Sequence, residues 1–314
     1  MEKIIIDTDI GNDCDDAGAL ALCHALCEKG EAQLLAVTAC LSTPYIAGCI
    51  DAINRHYNRI VPVGENYNKE EKRLQFDEGG CTCDKIVFER FNNSYKENRA
   101  EESLKVLRKT LAEAEDGSVT LVGIGYLTSL AQLIMSKPDD FSALSGKELV
   151  LKKVKRTVVM GGRFYETWPM DIINGIENIK AEFNIINDIK SAQTVCDEWC
   201  GELVFSSVEI GNYCRTLKDA YRRTQNPVGL AYSVYPWAKE KGRESWDLTA
   251  VLYAIRPDSE YWYTHAKGKI SVDDEGVTTF ETRPDGKHTY LIPRMDYKQL
   301  EEEIDNIVKS SRYY

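Results

Sequence analysis

Apolar positions alternate along this chain between two periods. Ile4-Ile5-Ile6 is an unbroken apolar run, the pattern of a strand covered on both faces. Residues 17–26 then read as a helix. The alternation repeats, with strands predicted at 33–40, 60–63, 118–124, 154–160 and 203–205. Helices are predicted at 44–57, 103–114, 127–135, 188–199 and 248–255. Strand and helix in turn over such a length predict an α/β fold, a mainly parallel open sheet with helices on both faces. Residues 66–98 are polar and irregular, with Gly79-Gly80, and read as a surface excursion. Residues 264–293 break the rhythm. Turn signals at Asp274-Glu275-Gly276 and Asp285-Gly286 separate alternating strands there, which predicts a small antiparallel appendage near the C-terminus. An amphipathic helix at 297–308 follows. With no repeat and no linker, residues 1–314 read as one domain.

Composition narrows the class. A 43% hydrophobic content over 314 residues is enough for a sizeable core. The net charge of −11 argues against nucleic acid or an anionic membrane surface as partner, because both need basic patches. Met1-Glu2-Lys3 leads straight into a strand, without a signal peptide or a spanning apolar run, so a cytoplasmic protein with reduced thiols is expected. Cys81-Thr82-Cys83 lacks a second pair at finger-like spacing. Cys23/Cys27 and Cys196/Cys200 have ordinary helical core spacing, so neither zinc nor a disulfide framework is expected.

The chemistry concentrates after the first strand. Asp7, Asp9, Asp13, Asp15 and Asp16 put five carboxylates within ten residues, where a strand hands over to a helix. Ligands of open α/β sheets bind at that edge. Crowded carboxylates repel one another unless a cation lies among them. Hard oxygen donors suit Ca²⁺ or Mg²⁺ rather than zinc. Helix capping accounts for one or two of these acids and leaves Asp7 and Asp9 unexplained. Further along, Asp247 stands at the start of a helix, and Glu182 and Asn184 are spaced to share one side of an extended stretch and grip hydroxyls.

Asp7-Thr8-Asp9-Ile10-Gly11, followed after Asn12-Asp13-Cys14 by Asp15-Asp16-Ala17, resembles the N-terminal signature of the inosine–uridine-preferring nucleoside hydrolases. The spacer is two residues longer than the commonest form. Val119 to Ser129 is similar to the second signature, in which a backbone carbonyl binds the metal. Ile124 takes that place, while Tyr126 and Ser129 stand where the family has proline and asparagine. Met160-Gly161-Gly162 and Ala181-Glu182-Phe183-Asn184 resemble its strand end and its sugar-binding segment. An upstream sugar-contacting asparagine of the family falls on Ile176, between Asn174 and Asn178, and is not assigned. Ser245-Trp246-Asp247 matches the metal-binding His-Asp-Pro segment, with Trp246 in place of the histidine that serves relatives as leaving-group acid.

The resemblance implies Ca²⁺-dependent hydrolysis of the N-glycosidic bond of a nucleoside, in purine or pyrimidine salvage. Asp9, Asp16, Asp247 and the Ile124 carbonyl would hold the metal, and Asp9 would also be the catalytic base. Asp15, Glu182 and Asn184 would bind ribose. Trp246 departs from the family: its indole N–H is no acid, so it either packs in the core or stacks on the base, and stacking favours purines or activated leaving groups over uridine. Asp7 would support the loop from behind, and Asp13 is given no role. A homodimer or homotetramer is implied as well. None of the four histidines stands where it could replace the missing acid. Two other readings remain: a non-catalytic nucleoside- or sugar-binding protein on the same scaffold, and a phosphatase of the haloacid-dehalogenase type with Asp7 as nucleophile.

Overall fold

The computed structural model describes residues 1–11, 13–68, 82–164, 181–258 and 260–314. Its centre is the first strand, Glu2–Thr8, paired in parallel with Ala32–Ala39 on one side and Val119–Gly123 on the other. Ile4 and Ile6 enter the core on one face of the sheet and Ile5 enters a second core on the opposite face. That is why the sequence shows an unbroken apolar run there instead of an alternation.

From one edge the parallel strands run Glu101–Glu102, Val63–Glu65, Ala32–Ala39, Glu2–Thr8, Val119–Gly123, Val154–Met160, Leu203–Ser206 and His288–Pro293. The predicted α/β class and parallel sheet are as found. The antiparallel strands near the C-terminus are also as found, but they continue the main sheet. His288–Pro293 lies parallel to Leu203–Ser206, and Gly268–Val272, Thr278–Thr282 and Trp262–Thr264 build on it in antiparallel pairing.

Some boundaries differ from expectation. The third strand is Val63–Glu65, later than predicted, because Pro62 has no N–H for the ladder and Ile60 is exposed. Within the polar excursion lies a helix, Cys83–Arg90; Gly79, Gly80 and Cys81 lie outside the described residues. The described cysteines are free thiols. No helix among the described residues is long and apolar enough to cross a membrane.

Two helices begin side by side at the carboxyl edge of the sheet. Asp15–Glu28 is buried from Asp15 through Cys27, and Trp246–Ile255 is buried from Asp247 onward. They pack closely, with Gly18 leaving no room for a Cβ beside Leu248 and the Tyr232 hydroxyl.

Candidate active site

Asp9 follows directly on the first strand, Asp15 and Asp16 open the helix after it, and Asp247 lies in the first turn of Trp246–Ile255. One carboxylate oxygen from each of Asp15, Asp16 and Asp247 lies within 4.8 Å of the other two. All three side chains are buried. Asp9 is buried beside them, and its charge raises the pKa of both Asp16 and Asp247. The Asp247 N–H donates to Asp15 Oδ2 at 3.3 Å. The Thr8 hydroxyl donates to Asp16 Oδ1 and accepts from the Ile10 N–H at 3.1 Å, which pins the loop to the strand end.

Ile124 follows the neighbouring strand, and its N–H donates to the Asp7 carbonyl at 2.7 Å. Gly125 then presses against Asp9. An added Cβ there would lie 2.6 Å from the Asp9 nitrogen and 2.9 Å from Cys40 Sγ, with backbone on one side and core on the other. Gly125→Ala is therefore expected to displace Asp9, costing about 1–3 kcal/mol in stability. Activity is expected to fall further than stability if the displaced Asp9 serves as ligand and base. Chemical denaturation and turnover of the same variant check both; parental values would mean that Asp9 does not depend on this contact.

Burial is the main cause that drives the Asp15, Asp16 and Asp247 carboxyls well above the usual carboxylate range, and their mutual repulsion adds to it. A cation among them reverses that logic, because it favours the ionised forms. The donors are hard oxygens, so the residues fit Ca²⁺ or Mg²⁺. Asp7 stands behind them, fully buried, accepting from the Thr38 hydroxyl at 2.5 Å, with burial raising its pKa to about 7. A nucleophile must reach its substrate, so this enclosure counts against the phosphatase reading.

Glu182 and Asn184 take a different local form from the one expected. They do not lie on an extended stretch. Glu182 caps the short helix Phe183–Ile186, because its carboxylate satisfies N–H groups that a helix start leaves free. Oε1 accepts from the Asn184 N–H at 2.9 Å, and Oε2 from Ile185 at 3.2 Å and Gly162 at 3.3 Å. Gly162 has φ +76°, a conformation that a side chain would strain. Burial raises the Glu182 pKa to about 7 against the pull of these three donors. Asn184 Nδ2 donates to the Met160 carbonyl at 3.2 Å, so its side-chain oxygen is what it can offer a ligand. Met160 ends the strand two places from the one that Asp9 follows, ~10 Å across the sheet edge. Residues 174, 176 and 178 lie outside the described residues.

Trp246 is half-buried, and its indole N–H donates to Asn212 Oδ1 at 2.7 Å and to the Val208 carbonyl at 3.1 Å. The Arg243 guanidinium lies 4.5 Å from its ring centroid. Arg243 also holds Asp13: Nε donates to both carboxylate oxygens at 2.9 Å, and Nη2 donates to Oδ2. Sequence reasoning missed this pair, whose only traces were an unassigned acid in a long spacer and an arginine just ahead of Asp247. The histidines serve structure. His24 meets Asn54 Oδ1, His56 the Tyr313 carbonyl, His288 the Ile270 N–H, and His265 stacks on Tyr290.

Comparison with known proteins agrees with this fold. The pyrimidine-specific ribonucleoside hydrolase RihB of Escherichia coli O9:H4 (strain HS) is 25% identical over 272 residues, covering 82% of this chain and 79% of that protein. An inosine-uridine preferring nucleoside hydrolase from Bacillus anthracis superposes with a TM-score of 0.70 at 18% identity, covering 99% of this chain and 100% of the other. A purine-preferring ribonucleoside hydrolase from Gardnerella vaginalis gives a TM-score of 0.70 at 15% identity, covering 98% of each chain. The family model described as inosine-uridine preferring nucleoside hydrolase matches residues 4–302, and the chain therefore belongs to that family.

Proposed function

We propose that this protein, acting as one domain, hydrolyses the N-glycosidic bond of a ribonucleoside to free base and ribose, with Ca²⁺ as its metal. The observation that carries the reading is the convergence of the buried neighbours Asp15 and Asp16 with Asp247, 232 residues from Asp15, on one point of the sheet edge. Asp9, Asp16, Asp247 and the Ile124 carbonyl are the ligands proposed. A site of crowded carboxylates plus a carbonyl suits the large, flexible coordination shell of Ca²⁺ better than the strict octahedron of Mg²⁺. Bound there, the ion would make a water molecule more acidic.

The chain's own residues supply the rest. Asp9 takes the proton from the attacking water. Asp15 and Asn184 hold ribose hydroxyls, and Glu182, stiffened by three backbone donors, holds the far end of the sugar. As the bond to the base lengthens, positive charge grows on the sugar, and the surrounding carboxylates stabilise it. The family supports a homodimer or homotetramer, which sedimentation would read. Release of free base from inosine or uridine, abolished by a chelator and restored by Ca²⁺, is the test. A protein that binds nucleosides and releases no base would be a binder on this scaffold.

Base choice is open to Trp246. Stacking eases protonation of a purine more than of a pyrimidine, because the ring face favours the cation. Arg243 already draws on one face of this ring, so the benefit on the other is reduced. Trp246→Ala is expected to lower kcat/KM for inosine by about tenfold, the scale of one stacking contact. It would lower that for p-nitrophenyl riboside much less, since nitrophenolate needs no acid to leave. Equal losses on both substrates would reduce Trp246 to a packing residue. Faster turnover of uridine than inosine by the parent would remove the purine preference.

A further inference from the structure

We propose that Arg243 is a positioning residue of the metal centre: its ion pair with Asp13 clamps the acidic loop to the segment that carries Asp247. The spacing of the carboxylates then depends on a contact that is not itself part of the cluster. This inference rests on the proposed metal site.

The pair joins residues 230 apart in sequence, and the two side chains are only 14% and 22% exposed. Arg243 is fixed from several directions. Nε and Nη2 grip Asp13, Nη1 donates to Glu244, and the rings of Trp246 and Tyr235 lie 4.5 Å and 5.0 Å from its carbon Cζ. Its backbone is fixed as well, because Arg243–Glu244 pairs with Arg215–Thr216 in a short antiparallel ribbon. Ser245, the next residue, donates its N–H to the Cys214 carbonyl at 2.8 Å, and its hydroxyl meets that of Thr216 at 2.7 Å. On the other side, the Asp13 carboxylate accepts from the Cys14 N–H at 2.6 Å and its carbonyl accepts from the Cys83 thiol at 2.9 Å. Each end of the clamp is thus anchored in its own segment.

By charge alone, a guanidinium this near the cluster works against a divalent cation. Paired in two-pronged fashion with Asp13, it is locally neutral, and what remains is geometry. Besides the close packing of the two helices, two polar links join the acidic loop to the segment of Asp247. One is the N–H of Asp247 on Asp15, inside the cluster. The other is Asp13–Arg243, whose two side chains lie outside the three-carboxylate cluster. Without Asp13, the buried guanidinium would be left facing Asp15 as an internal competitor for the cation.

The charge and clamp accounts predict opposite signs for one variant. If Arg243 acted only as a charge, Arg243→Gln would bind Ca²⁺ more tightly, Asp13→Asn more weakly, and the double variant as the parent does. The clamp predicts that either single variant weakens binding by roughly 10–100-fold, the usual cost of losing a group that orients ligands. The double variant should be no worse than the poorer single, because one clamp is lost once. Arg243→Lys keeps the charge and loses the fork, so it should fall between parent and Arg243→Gln. It also covers the case in which Arg243→Gln fails to fold.

Calorimetric Ca²⁺ titration reads these affinities without turnover. Parental or tighter binding by Arg243→Gln, or parental binding by Arg243→Lys, would overturn the clamp. Amide hydrogen exchange on the chelated proteins gives an arm that needs no metal. Either single variant should speed exchange in residues 13–16 and 244–248 and leave the strand Val154–Met160 unchanged. Unchanged exchange in both loops would also overturn it. If the parent binds no divalent cation, the metal reading fails, and the exchange arm still decides whether the two segments are clamped.

Discussion

Asp9→Asn is expected to hydrolyse nucleosides about 10²–10⁴-fold more slowly than the parent, the usual worth of a general base. The amide keeps the size of the carboxylate and an oxygen that can still face a cation, and it cannot take a proton. Asp9 follows directly on the central strand, beside Gly125 and Cys40, where little can shift to compensate. Calcium affinity should fall much less than kcat, because Asp16 and Asp247 remain. Asp9→Ala should lose both, since it removes the ligand as well. The check is kcat alongside calorimetric affinity for each variant. Turnover by Asp9→Asn at the parental rate would assign the base elsewhere.

Chelation should stop turnover and lower Tm, and the drop in Tm should be largest near neutral pH and shrink toward pH ~5. The sign comes from the cluster. Burial raises the folded-state pKa of Asp15, Asp16 and Asp247 above their unfolded values. Without a cation, the folded protein therefore holds protons that the unfolded chain has released. Stability from these groups is full below the unfolded pKa and is lost as pH rises through the folded one. A bound cation needs the ionised forms, so it stabilises most where protons compete least. At a free concentration 100 times Kd the gain is about 2.7 kcal/mol. Asp7 and Glu182, both raised to about 7, slope the same way, while His24 and His288, lowered to about 3 and about 4, slope the other way. Comparing loaded with chelated protein at each pH cancels these common slopes. A Tm difference independent of pH would mean that the cluster is not where the cation binds.

Most of the fold was legible because its strands and helices are long and periodic. The strand Val154–Met160 and the helix Thr128–Met135 lie where the apolar spacing puts them. The helix Gly146–Lys153 escaped notice although Ser145 and Glu148 form a reciprocal capping box, a local signal present in the sequence. The helix Pro227–Val234 was likewise hidden in a run rich in aromatics, despite Asn226 and Pro227 at its start. For the site, the acidic run stands out where an apolar element begins, whereas Asp247 is singled out by its place in the family's pattern, since an acid at a helix start is by itself an ordinary cap. The cap at Glu182 could not, since a carboxylate two residues from an amide fits a strand or a helix start equally well. Arg243 was harder still, as an ion pair across 230 residues leaves no periodicity to read.

The helix that opens with Asp15 and Asp16 has no outer side. A mutational scan along it should therefore lack the 3.6-residue rhythm that marks most helices, with substitutions tolerated about equally poorly from Asp15 to Cys27. The helix Tyr297–Lys309, which buries only Leu300, Ile304, Ile307 and Val308, should show that rhythm plainly in the same scan. Sequence drift among relatives is then expected to collect at the rim of the molecule, while the segment bearing the acids changes only by exchanges that conserve volume.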